Sequence, residues 1–158
     1  MGATPNAIHL QRYERRNNNM TTILDPESRN ALIDYRLQRA TETLEEADYN
    51  AKGKYFNTGV NRLYYAAYYA ASALMLAYGL ECSTHAGVKS MLSLNFIRKG
   101  LLSPVYGKIF MSLFENRQSG DYEDFVYCDA ELYNDLRPKT EEFINALKIL
   151  IKSSGNKD

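Results

Sequence analysis

The sequence predicts an all-α protein, an up-and-down helical bundle of about five helices. Three observations lead there. Apolar residues recur at three- and four-residue spacing, as in Leu37, Ala40, Leu44 and Ala47. Helix-starting pairs, Asp25-Pro26 and Ser103-Pro104, and the glycines Gly53, Gly79, Gly100 and Gly120 cut this pattern into segments. No run alternates apolar and polar residues as a half-buried strand would, and no internal repeat is found.

The elements follow in order. Residues 1–24 read as a flexible extension, with Asn17-Asn18-Asn19, Arg15-Arg16 and no apolar period. Met20 is an alternative start within it. At Asp25-Pro26-Glu27 the Asp can cap free N–H groups, the Pro suits the first turn, and the Glu complements the helix dipole. The first helix should run to about Ala51, with Arg39, Glu42, Glu45 and Glu46 on its outer face.

After Gly53 a second helix should span Tyr55 to Gly79. It is apolar nearly all round, and so is expected at the centre of the bundle. Thr84 can cap a third helix from His85 to about Arg98, closed by Gly100. Ser103-Pro104 opens a fourth, expected to end at Gly120. Asp129 can cap a fifth, which Pro138 should kink or interrupt before Phe143, Leu147 and Leu150 resume the stripe. The bundle is thus expected over residues 25–152, with a flexible tail at 153–158.

Composition limits the function classes. A chain of 158 residues suits one domain and can bury a core without disulfides or metal. Nineteen basic and nineteen acidic residues give no net charge, which argues against a generic grip on nucleic acid and leaves only a local basic patch. The two cysteines, Cys82 and Cys128, form no CxxC and read as reduced thiols in a cytoplasmic protein. Leu63 to Leu80 carries no charge and could reach across a bilayer, but its five tyrosines favour a buried helix over a membrane span.

Four places can carry chemistry. Asn61, Tyr65, Tyr69 and Ser72 share one side of the second helix. They suit either packing against a neighbour or a second subunit, or a ligand-lining role with Arg62 beside them. His85 shares a face with Val88 and Leu92, at a helix N-terminus whose dipole favours neutral imidazole. It reads either as a buried His bonded to a carbonyl or as a general base. Arg117 follows Tyr106, Phe110 and Leu113 on an apolar stripe, so its guanidinium needs an acceptor, either phosphate or a carboxylate such as Asp121. Gly120-Asp121-Tyr122 is a turn that gains interest only beside Arg117. No phosphate-cradling glycine loop, nucleophile elbow or His/Cys zinc cluster is present, so neither cofactor nor metal is expected.

Taken together, Asn61-Arg62-x-Tyr64-Tyr65-Ala66-Ala67-Tyr68, Thr84-His85-x-Gly87-Val88 and Arg117-x-x-Gly120-Asp121-Tyr122 resemble, in that order, the motifs of prokaryotic HEPN-domain proteins. The resemblance spans about Ser28 to Ile151. It implies a homodimeric helical bundle, often encoded beside a minimal nucleotidyltransferase as a toxin–antitoxin-like pair. It further implies that such a module binds a nucleotide, RNA or that partner. Many members are metal-independent ribonucleases whose motif is an Arg followed within a few residues by a His. Arg117 fits the Arg, but Asp121, Tyr122 and Glu123 stand where the His would be. Catalysis would then rest on Arg117 with Tyr122, whose ordinary pKa of about 10 makes a poor base at neutral pH, or with His85 if the fold brings it close. Three readings stay open: a binding module, a ribonuclease toxin, and a purely structural interaction domain.

Overall fold

The structure, a computed structural model, describes residues 24–117 and 127–154. The segments expected to be flexible, 1–24 and 153–158, fall outside these residues except for Leu24, Ser153 and Ser154. Among the described residues the fold is all-α: α1 (Pro26–Lys52), α2 (Phe56–Ala77), α3 (His85–Leu92) with a π-helical continuation (Ser93–Ile97), α4 (Pro104–Asn116) and α5 (Ala130–Ser153). No strand is present among them.

The four expected caps form. Asp25, Thr84, Ser103 and Asp129 each accept a backbone N–H two or three residues on, with Asp25 and Asp129 bonding at 2.8 and 2.9 Å. Gly79, at φ 69°, follows α2, where a left-handed residue stops a helix most readily.

Helix α2 is the axis. It packs against α1, α3, α4 and α5. Val60, Leu63, Tyr64, Ala66, Ala67, Ala70, Ala71, Ala73 and Leu74 have no solvent exposure. The alanines let α1 approach closely along one side, while Leu63 and Leu74 fill the spaces left on the others. Phe96, Phe110, Leu113, Leu136, Phe143 and Leu147 complete the same core. Among the described residues no helix is long and apolar enough to cross a membrane.

Three local expectations need correction. Pro138 does not interrupt α5, which is continuous through it. Pro138 and Asn134 both lie on the solvent face. The carbonyl that loses its helical N–H is therefore open to water, and the ring does not meet the core. The third helix does not stay α-helical to Arg98, because after Leu92 it widens into a π turn. That turn adds a residue to the register and carries Phe96 into the core at 1% exposure. Finally, α4 stops at Asn116 and not at Gly120, with Arg117 already extended at φ −65°, ψ 138°.

Polar ties fix the outer helices. Asp48 on α1 accepts from Arg137 Nε at 2.8 Å, from Arg137 Nη2 at 3.0 Å and from the buried Tyr133 hydroxyl at 2.6 Å. The Arg137 bonds hold the Asp48 carboxyl below its ordinary range, against an opposing push from burial. Tyr133 also lies under Gly59, where a Cβ would come within 3.1 Å of its ring. Asn57 accepts the Cys128 backbone N–H at 2.8 Å, pinning the approach to α5 onto the start of α2.

Two outcomes test this architecture. Leu74→Ala should lower stability by about 2–5 kcal/mol, and Leu74→Asp should abolish folding, as followed by denaturant titration. A soluble Leu74→Asp variant with unchanged melting would show α2 to be peripheral. Asp48 has a depressed pKa, so its stabilisation is present above the unfolded value of about 3.9 and lost as pH falls through the folded value. Asp48→Asn should therefore cost about 1 kcal/mol at neutral pH, the figure being kept small by solvent screening, and should flatten the acid limb of the stability profile.

Candidate functional site

The site is built around Tyr64, which α2 holds at 0% exposure in the core. Phe110 and Phe114 of α4 pack on its ring at 5.7 and 5.8 Å between centroids. Its hydroxyl reaches α3, whose N-terminal residue is His85, and lies 2.5 Å from His85 Nδ1. The imidazole is stacked on Tyr68 at 4.4 Å and meets Tyr65 edge-on at 5.9 Å. Gly87 permits this placement, since a Cβ there would come within 2.9 Å of Thr84 Oγ1 and 3.0 Å of Cys82 Sγ. The glycine thus lets the capped start of α3 close over the turn from α2.

Arg117 reaches the same tyrosine from the end of α4. Its backbone N–H donates to the Leu113 carbonyl at 3.0 Å, closing α4. Its guanidinium carbon lies 4.3 Å from the centre of the Phe114 ring and 5.0 Å from that of Tyr64. Cation–π contact thus holds a charge against an aromatic cluster, and no carboxylate among the described residues pairs with it.

The electrostatics follow. Burial, and then the Arg117 charge, lower the His85 pKa from 6.5, so the imidazole is neutral at neutral pH. Burial raises the Tyr64 pKa, outweighing the opposing pull of Arg117, so the hydroxyl keeps its proton. The His85 tautomer follows from hydrogen-bond accounting, not from an observed hydrogen. A buried hydroxyl needs an acceptor, and among the described residues Tyr64 has only His85 Nδ1. Tyr64 then donates to Nδ1, and His85 carries its proton on Nε2. The site thereby presents two kinds of donor, the guanidinium and one imidazole N–H, to an incoming anion.

The expected stripe on α2 lies alongside. Asn61 Oδ1 accepts from Arg62 Nε and Nη2 at 3.2 and 2.9 Å. Arg62 lies over the Tyr65 ring at 4.9 Å, and Arg39 of α1 lies over Tyr69 at 5.4 Å. The Ser72 carbonyl accepts from Arg36 at 3.2 Å. Asp121 and Tyr122, expected to fold back on Arg117, lie outside the described residues. So does any Arg117–Asp121 pair.

Reading the sequence brought His85 and Arg117 forward but gave no site role to Tyr64, the ring that touches both, or to Tyr68, which stacks on His85, although both stand in the quoted motif. One signal was available: a tyrosine on the inward face of an apolar helix must find a hydrogen-bond partner. The Asp48–Arg137–Tyr133 network was also missed, because nothing local to either helix links residues so far apart. Among the described residues no group of three or more His, Cys, Asp and Glu gathers as a metal site would require.

An all-helical bundle with an Arg–His pair over a buried tyrosine defines a class, and comparison with known proteins supplies its family. Residues 33–150 match the HEPN domain family, and the chain belongs to it. It is 37% identical over 121 residues to a UPF0332 protein of Thermotoga maritima, covering 77% of this chain and 92% of that one. It is 30% identical over 116 residues to a protein of Methanocaldococcus jannaschii that is named as a candidate toxin, covering 73% and 86%. A second protein of that organism with the same kind of name is 25% identical over 112 residues, covering 71% and 76%.

The tautomer is directly measurable. Nitrogen-15 NMR at neutral pH should find His85 protonated on Nε2 with Nδ1 unprotonated, and Tyr64→Phe should release it to a mixture of the two forms. A wild-type spectrum showing protonated Nδ1 would reverse the donor assignment.

Proposed function

We propose that this chain is the HEPN module of a toxin–antitoxin-like pair, and that it binds RNA by gripping a backbone phosphate between Arg117 and His85. The observation that carries this reading is the convergence of both side chains on Tyr64, from α4 and from α3. A guanidinium and an imidazole N–H are the donors a phosphodiester needs, and the aromatic floor raises the strength of their interaction with it by excluding water. The names of the Methanocaldococcus jannaschii relatives support a toxin-like role. A homodimer, a minimal nucleotidyltransferase partner and a cytoplasmic location belong to the proposal as what the family resemblance implies.

A second reading, a metal-independent ribonuclease, draws on the neutral His85 beside Arg117. There Arg117 would stabilise charge on the scissile phosphate, and His85 or Tyr122 would take the ribose 2′-hydroxyl proton. The tautomer weighs against it, because an imidazole with its proton on Nε2 and Nδ1 engaged by Tyr64 has no free lone pair to act as a base. Binding is therefore the better-supported function.

Fluorescence anisotropy of a short labelled single-stranded RNA, in chelator and without added metal, tests both readings. Arg117→Ala and His85→Ala should each weaken binding while the RNA stays intact. Arg117→Ala should melt close to wild type, whereas His85→Ala leaves the Tyr64 hydroxyl without its acceptor and should melt lower. Unchanged affinity in Arg117→Ala would overturn the phosphate site, and cleavage lost in the same variant would favour the ribonuclease. The pH dependence carries a sign. Free His85 titrates below 6.5, and a bound phosphate stabilises its charged form, so binding takes up a proton. Affinity should rise as pH falls through and below that value, and the rise should be absent in His85→Gln.

A further inference from the structure

We infer that the Arg62–Tyr65 and Arg39–Tyr69 pairs extend the Arg117–His85 site into a track for single-stranded RNA, with Glu46 occupying a phosphate position when RNA is absent. This rests on the RNA-binding reading and adds where the rest of the strand lies.

The geometry is continuous. From Arg117 the contacts pass to the Tyr64 ring at 5.0 Å, from Tyr64 to Tyr65 at 5.3 Å, and from Tyr65 to the Arg62 guanidinium at 4.9 Å. Tyr65 also touches His85, so it borders both places. Tyr69 follows Tyr65 by four residues, one turn further along the same side of α2, about 6 Å on. It carries Arg39 at 5.4 Å. Each tyrosine ring thus backs one guanidinium, leaving the outer face of that cation towards solvent. The side chains of Arg39 and Arg62 are 24% and 30% exposed. A guanidinium held against an aromatic ring is a platform on which a nucleobase stacks. Its N–H groups are engaged by protein acceptors when RNA is absent, Arg39 Nη1 by Glu42 at 2.8 Å and Arg62 Nε and Nη2 by Asn61 at 3.2 and 2.9 Å, so a phosphate has to compete for them.

Glu46 indicates what the track receives. Its carboxylate lies 3.5 Å from Arg39 and 3.7 Å from Arg62, joining both pairs from α1. Both separations are long for charge-assisted hydrogen bonds, and the Glu46 side chain is 43% exposed. A surface ion pair this open contributes little to stability, so an anion with more oxygens can displace it. A phosphodiester has the same charge and suits the span between two guanidinium groups. The chain has no net charge, so this local spacing of cations, not a general positive field, would give the strand its path.

Two probes separate the parts of the idea. Uridine monophosphate reaches one phosphate position, and a short single-stranded RNA reaches several. Arg117→Ala should weaken both. Arg62→Ala should leave the mononucleotide unaffected, weaken the RNA, and reduce the slope of log affinity against log salt by about one. Glu46→Gln keeps the shape but removes the competing charge, and should tighten the RNA severalfold without changing the mononucleotide. It also answers any loss of folding in Arg62→Ala, since unfolding cannot tighten binding. If Arg117→Ala weakens binding while Glu46→Gln and Arg62→Ala leave RNA affinity and salt slope as in wild type, the track is overturned and the phosphate site stands. If neither probe binds the wild-type protein, both are overturned.

Discussion

The requirement that governs this protein is the burial of the apolar faces of α2. From Leu63 to its end at Ala77 that helix has no charged side chain, and exposing its buried faces to water would forfeit the burial that drives folding. Four helices surround it. Their arrangement is otherwise hard to motivate, because α1 and α5 are polar over much of their surface and would not associate for their own sake. Helix α3, of only eight residues, is stabilised mainly by what it buries, through Val88, Leu92 and the π-turn Phe96.

A buried helix rich in tyrosine brings a second requirement, since each inward hydroxyl must be satisfied. Three solutions occur. Tyr78 donates to the Leu150 carbonyl of α5 at 3.0 Å, where the chain runs past it. Tyr133, covering α2 from α5, donates to Asp48. Among the described residues Tyr64 has neither a carbonyl nor a carboxylate as acceptor, and its partner is an imidazole. The first two lock helices together and offer nothing to a ligand. The third uses one nitrogen of a titratable ring, near a guanidinium held by the same aromatic cluster. The candidate site is in this sense a by-product of core packing: the hydrogen bond that satisfies Tyr64 also sets which proton His85 can offer.

Charge is distributed accordingly. Among the described residues the shortest ion pairs are Asp48 with Arg137, which ties α1 to α5, and Arg39 with Glu42 within α1, each at 2.8 Å. Arg117, among the described residues, is held instead by rings. An arginine positioned by cation–π contact keeps its N–H groups for another partner, whereas one in a bidentate carboxylate bond has already used them. That difference separates Arg117 from Arg137 more clearly than their exposure does.

The sequence by itself determined the helices, their caps and the central place of α2, because each depends on residues within one turn of one another: Asp25 and Ser28, Thr84 and Gly87, the apolar surround of residues 63–80. It also singled out His85 and Arg117 from the faces they occupy. Where helices end under strain was less legible. The stop of α4 at Asn116, the π turn after Leu92 and the passage of α5 through Pro138 depend on what the neighbouring helices leave room for. Only the tertiary structure decided that His85 and Arg117 meet on one ring, and that Tyr64, not the outward stripe, is what joins them. The reason is geometric. Helical periodicity says which way a side chain faces, while the angle and depth at which two helices cross decide whether side chains 21 residues apart, as Tyr64 and His85 are, come within a hydrogen bond of each other.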